Sequence, residues 1–148
     1  MKLSTRGRYG ARAILELALN YGKGVVTLHD IARKQEISKR YLEHIMATLV
    51  STGLVTSSRG QHGGFCLAKP PGEIQLSQVI HAVEGSMSPV YCLDNPKLCK
   101  RVNICVTYDI WLRMKKAILD VLDSITLQDM VEMHRKKVAE PTTIGYSI

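Results

Sequence analysis

Residues 27–67 read TLHDIARKQEISKRYLEHIMATLVSTGLVTSSRGQHGGFCL. Thr27 can cap a helix, and Asp30 follows at capping-box spacing, although Glu or Gln is usual there. The helix LHDIARKQE is short, with Leu28, Ile31 and Ala32 facing inward. Ile37 and Ser38 make a tight connection, and the Ser38 hydroxyl can cap the next helix. That helix, KRYLEHIMATLVSTG, buries Leu42, Ile45, Met46 and Leu49 and leaves Lys39, Arg40, Glu43 and His44 on the other face or its margin. Two helices joined by a few residues, the second polar at its start, form a helix-turn-helix pattern. Behind it Leu54, Val55 and Thr56 read as a strand, Ser57 to Gly64 as a turn, and Phe65, Cys66 and Leu67 as a returning strand. A helical hairpin alone is easily mimicked; a basic, glycine-rich β-hairpin in this place is not. The segment predicts a mainly α fold with a small β-hairpin wing, a winged helix-turn-helix.

The flanks extend this reading. A helix from about Arg6 to Tyr21 carries Ala11, Ile14, Leu15 and Ala18 at helical spacing, and Gly22 and Gly24 stop it. Pro70, Pro71 and Gly72 break the chain, so residues 1–69 form the expected DNA-binding unit. Residues 70–137 hold a short helix in SQVIHAVEG, a loop from about Ser86 to Cys105, a long helix from about Thr107 to Ser124, and a last helix starting near Thr126. Residues 138–148 are expected to form a flexible tail. The long helix aligns Ile110, Met114, Ala117, Ile118 and Val121, with Trp111 and Leu122 beside them. A chain of 148 residues has little with which to cover that stripe. The expectation is a homodimer paired through this dimerisation helix, whose symmetry suits a palindromic site in double-stranded DNA.

Charge is distributed unevenly. Residues 1–69 carry 11 Lys and Arg against 4 Asp and Glu, whereas residues 70–148 carry 9 of each, so the net charge of +7 lies in the first part. That is the electrostatic footprint of a nucleic-acid-binding module, and it argues against a winged helix used only for protein contacts. The candidate DNA-reading residues at the start of the recognition helix are Ser38, Lys39, Arg40, Tyr41, Glu43 and His44. Arg40 can pair with guanine and Glu43 can accept from cytosine, whereas Lys39 suits a phosphate. The Tyr41 ring has two readings, a DNA contact or packing between helices. Arg59, followed by Gly60 at the wing tip, suits a narrow minor groove. Arg6 or Arg8 can reach phosphates from the first helix. No Ser/His/Asp set, phosphate-binding glycine loop or paired carboxylate site points to an enzyme. No run approaches the roughly 18 apolar residues of a membrane span. The basic N-terminal stretch, interrupted by Glu16, reads as an amphipathic helix rather than a signal peptide, which predicts a cytoplasmic protein with no membrane partner.

Three of the four cysteines, Cys92, Cys99 and Cys105, fall in YCLDNPKLCKRVNICVTY. In a cytoplasmic chain they read as metal ligands or redox-active thiols rather than disulfides. Clustered thiolates suit a soft metal or an iron–sulfur cluster. Zinc is a weaker match because structural zinc sites favour close Cys pairs. A cluster-free thiol or zinc sensor, a redox-responsive repressor, is the alternative, and Lys97, Lys100 and Arg101 can favour thiolates there. Cys66, in the wing, reads as an inert small apolar residue.

The opening MKLSTRGRYGARAILELAL, the run DIARKQEISKRYLEHIMATL, the wing GLVTSSRGQHGGFCLAK, the segment IQLSQVIHAVEG and the three cysteines resemble the IscR-type iron–sulfur regulators. The resemblance extends to about Glu132. It implies a dimeric winged-helix transcription regulator of cluster-assembly operons, with a 2Fe-2S cluster held by Cys92, Cys99, Cys105 and one further ligand. In IscR-like proteins that ligand is a histidine three residues after the last cysteine; here the position is Tyr108. Phenolate binds iron less readily than neutral imidazole, so Tyr108, Thr107, Asp109, water or a group from a partner subunit all stay open. Some relatives recruit a ligand from the partner's first helix, but positions 8 and 12 are Arg8 and Arg12, which cannot serve. His81 and His134 are the histidines to place.

Overall fold

The structure is a computed structural model that describes residues 2–140. Helix α1 (Thr5–Leu19) is followed by α2 (Leu28–Gln35) and α3 (Lys39–Ser51), and β1 (Val55–Ser58) pairs antiparallel with β2 (Gly64–Leu67). Helices α4 (Leu76–Glu84), α5 (Val106–Asp123) and α6 (Leu127–Ala139) follow, with three short 3-10 turns between Tyr91 and Ile104. This is the expected mainly α winged helix with one β-hairpin. Helix α6 continues through Ala139, and residues 141–148 of the expected tail lie outside the described residues.

Side-chain caps fix the helix starts. Ser4, Thr27 and Ser38 accept from the N–H groups of Gly7, Asp30 and Tyr41. Thr126 accepts from Asp129 N–H while the Asp129 carboxylate accepts from Thr126 N–H, a reciprocal pair that holds the Asp129 carboxyl below its ordinary value. Each such cap contributes about 1 kcal/mol. Between α2 and α3, Glu36 takes a left-handed conformation with φ 53°, and Ile37 N–H donates to Ala32 O at 3.0 Å. This turns the chain sharply while Ile37 is buried.

One core joins the two parts of the chain. Ile14 and Leu17 of α1, Ile31 of α2 and Leu42, Ile45, Met46 and Leu49 of α3 are buried with Ile74, Val79, Val83, Leu127 and Val131. Burying each large apolar side chain contributes roughly 1.5–3 kcal/mol. Pro70 and Pro71 lie between β2 and α4 along the chain, and α4 and α6 share the core of the winged helix in space. The backbone fastens α6 there, since Leu127 N–H donates to Ile74 O and Leu76 N–H to Ile125 O.

Two local expectations shift. The buried stripe of α1 is Gly7, Gly10, Ala13, Ile14, Leu17 and Ala18, whereas Ala11 and Leu15 are half-buried. The reason is α4: Val83 packs on Gly10, and the Glu84 carboxylate lies over Gly7. The hairpin also gains a third partner, because Val26 and Phe65 exchange backbone hydrogen bonds of 2.8 Å. Gly64 permits this approach, since a Cβ there would lie 2.6 Å from Val26 O.

Candidate DNA-reading surface and cysteine loop

The start of α3 is presented outward. Ser38, Lys39, Arg40, Glu43 and His44 are all exposed. Ser38 uses its hydroxyl to accept from Tyr41 N–H at 3.2 Å. Tyr41 combines its two readings: it meets Tyr9 of α1 edge-on, with ring centroids 5.8 Å apart, yet remains 38% exposed. Arg6 lies along the same helix and donates to Thr48 Oγ1 at 2.7 Å, beside an open groove lined by Tyr41 and His44. Arg8 extends outward and donates to Thr5 Oγ1 at 3.2 Å.

At the wing tip Arg59 is exposed and Gly60 has φ 101°. Gly63 N–H donates to Gly60 O at 3.0 Å, and a Cβ on Gly63 would overlap Ser58 O. The tip therefore depends on its glycines for the turn that carries Arg59. Cys66 is half-buried in β2 with its sulfur 3.0 Å from Thr56 Oγ1.

The cysteine loop leaves α4 at Gly85, where φ is 80°, and returns at Cys105, the N-cap residue of α5. Its first half is anchored. The Asp94 carboxylate accepts from the Ser86 and Ser88 hydroxyls at 2.5 Å each and faces Lys115 of α5 at 3.4 Å. The two hydroxyls, then the lysine, hold the Asp94 carboxyl below its ordinary value. Glu84, at the root of the loop, accepts from the N–H of Ser4 at 3.0 Å and from its hydroxyl, tying the loop base to the start of α1.

Cys92, Cys99 and Cys105 are free and half-buried. Thr107 Oγ1 lies 3.2 Å from Cys105 Sγ. This hydroxyl, the backbone N–H groups of Tyr108 and Thr107, and the charge of Arg101 lower the Cys105 thiol below its ordinary value, against a smaller effect of burial. A thiolate at a helix N-terminus is favoured in this way. The donor chemistry therefore fits a soft metal or an iron–sulfur centre. The arrangement is not preassembled: among the described residues no three His, Cys, Asp or Glu side chains are grouped to hold a metal ion. Tyr108 is half-buried in the first turn of α5 and lines an open cleft with Cys105 and Asp109. His81 lines another cleft, with Ser86, Asp94 and Lys115, and His134 lies beside Glu16, Lys23 and Lys34.

Helix α5 has no buried residue among its 18. Ile110, Leu112 and Val121 are exposed, and Trp111, Met114, Ile118 and Leu122 are only half-buried. No helix among the described residues is long and apolar enough to cross a membrane.

A capped helix pair, a glycine-built basic wing and an appended long helix define a winged-helix transcription regulator. The chain belongs to the Rrf2 family of iron-dependent transcriptional regulators, whose model matches residues 3–133. It is 39% identical over 130 residues to the HTH-type transcriptional regulator CymR of Bacillus subtilis, covering 88% of this chain and 89% of that one. The solved structure of B. subtilis CymR, described as its global cysteine regulator, superposes with TM-score 0.74 at 38% identity, over 90% of this chain and 98% of the other. T. potens IscR superposes with TM-score 0.73 at 39% identity, over 97% and 92%. The likeness thus extends to both CymR and IscR, and these relatives are regulators and not enzymes.

Proposed function

We propose that this protein represses or activates genes of iron–sulfur cluster biogenesis in the cytoplasm, and that it senses cluster supply, iron or redox status through a 2Fe-2S cluster held by Cys92, Cys99 and Cys105. The observation that carries this reading is the loop itself: three free thiols rooted between α4 and α5 of a winged-helix regulator. A bound cluster supplies a centre that ties the three thiolates together. The residues of the chain do the rest. Cys105 presents a favoured thiolate at the start of α5. Asp94, Ser86 and Ser88 fix the half of the loop that contains Cys92. Glu84 links the loop base to α1, which packs on the recognition helix. Gathering the thiols therefore changes a loop whose root touches the DNA-reading unit, which can shift the population of DNA-competent protein.

For DNA reading we assign base contacts to Ser38, Arg40, Tyr41, Glu43 and His44, a phosphate contact to Lys39, and a minor-groove contact to Arg59 with close backbone approach at Gly60. The uncovered face of α5 supports a homodimer paired through that helix and a palindromic duplex site. Anaerobic reconstitution with iron and sulfide tests the sensor. The expected protein is coloured, with quantified iron and sulfide, and loses its colour when Cys92, Cys99 and Cys105 are replaced by alanine. A colourless protein overturns the cluster, and an oxidant-dependent change in DNA affinity in that colourless protein supports the cluster-free thiol sensor instead. Tyr108→Phe with an unchanged spectrum removes the phenol from the ligand set.

A further inference from the structure

Arg12 has no place in a ligand set, yet it sits where three helices meet. Its Nε donates to Gln35 Oε1 at 2.8 Å, and its Nη2 donates to the backbone carbonyl of Gln35, the last residue of α2. Gln35 Nε2 donates in turn to Glu16 Oε1 at 2.6 Å, a carboxylate of α1 that is only 7% exposed. The guanidinium carbon also lies 5.3 Å from the centroid of the Tyr9 ring. That ring meets Tyr41, in the first turn of the recognition helix, at an interplanar angle of 88°. Between the two grips lies the turn itself, with Glu36 in its left-handed conformation. One side chain thus holds the end of α2 by hydrogen bonds and, through Tyr9, braces the start of α3.

We infer that Arg12 and Tyr9 are positioning residues for sequence reading, which set the angle at which the recognition helix enters the major groove without contacting bases themselves. The physical case is geometric. Base discrimination depends on hydrogen bonds aimed at groove edges, so a small rotation of α3 degrades specific contacts more than phosphate contacts. Guanidinium is the group this place requires. Its planar fork aims two donors in fixed directions, at a side-chain amide and a backbone carbonyl, while its carbon stays near an aromatic ring; a lysine ammonium, a point charge on a flexible stem, does not fix those directions. The inference rests on the DNA-reading part of the proposed function.

The test compares two duplexes on the same protein preparation: one enriched from random-sequence DNA by the wild-type protein, and a scrambled version of it. The readout is the ratio of their affinities, in which any inactive fraction of the preparation cancels. Arg12→Lys is expected to lower this ratio about tenfold, the scale of one lost base contact, with the salt dependence of scrambled-DNA binding unchanged. Tyr9→Leu is expected to do the same, and Tyr9→Phe to retain the wild-type ratio. A full ratio in Arg12→Lys, with Arg12→Gln lowering the salt slope by about one phosphate, makes Arg12 a phosphate contact and overturns the inference. Lowered thermal stability with an unchanged ratio also overturns it, by making the contacts of Arg12 and Tyr9 merely structural. A wild-type protein that enriches no sequence overturns the DNA-reading assignment together with this inference, and so is distinct from a wild-type preference that survives in the variants.

Discussion

Glu84 illustrates how a single residue couples distant parts of the chain. Its carboxylate needs the absence of a side chain at Gly7, where an added Cβ would overlap Oε1. Gly7→Ala should push the carboxylate off Ser4, losing hydrogen bonds on the scale of about 1–2 kcal/mol, against which the helix propensity of alanine returns about 1 kcal/mol. The chain end of Glu84 can swing away, so the cost should shrink when Glu84→Ala is already present, and a double-mutant cycle in urea unfolding checks this. Asp94 makes a similar prediction for pH. Its folded value is lowered by Ser86 and Ser88, so its contribution is complete above the ordinary value of 3.8 and is lost as pH falls through the lowered value. Protection factors of the amides of residues 86–94, in which the intrinsic pH dependence of exchange is divided out, should therefore fall on acidification through that range, and Asp94→Asn should remove this fall. The partnership of Glu84 with Ser4 was invisible in the sequence, because the two are 80 positions apart.

At the scale of elements, caps were legible and contacts were not. Thr27 and Ser38 cap α2 and α3 as their spacing predicts, because a cap is a local hydrogen bond within three residues. The pairing of Val26 with Phe65 is non-local and carries no sequence signal of its own. The buried face of α1 was misread for a related reason. Gly7 and Gly10 have no apolar side chain, yet α4 packs on them and buries them. The wing yields a prediction that separates function from stability. Gly63→Ala places a Cβ against the Ser58 carbonyl, which distorts the turn carrying Arg59. DNA affinity should fall about tenfold, the scale of one lost contact, while the thermal midpoint changes little, because Arg59 to His62 are exposed and the half-buried Gly63 lies outside the core. Arg59→Ala should produce a comparable loss with no change in midpoint; an unchanged affinity would remove Arg59 from the reader set.

For the whole molecule, the long helix α5 is the element that one copy leaves uncovered. On the proposed homodimer, replacing Ile110 or Val121 by glutamate should give a monomer in light scattering at unchanged helix content, since neither side chain belongs to the described core. Persistence of the dimer in both variants would move its interface elsewhere. The sequence by itself determined the winged helix, the charge asymmetry and the loop that carries three thiols, because periodicity, caps, glycine turns and residue chemistry are properties of neighbouring residues. Only the tertiary structure decided that α4 and α6 share the reader's core, that the loop root is tied to α1, and that Arg12 and Tyr9 meet at the turn before the recognition helix. Those outcomes depend on which faces come together when apolar surface leaves water, and that is settled by the packing of the whole chain.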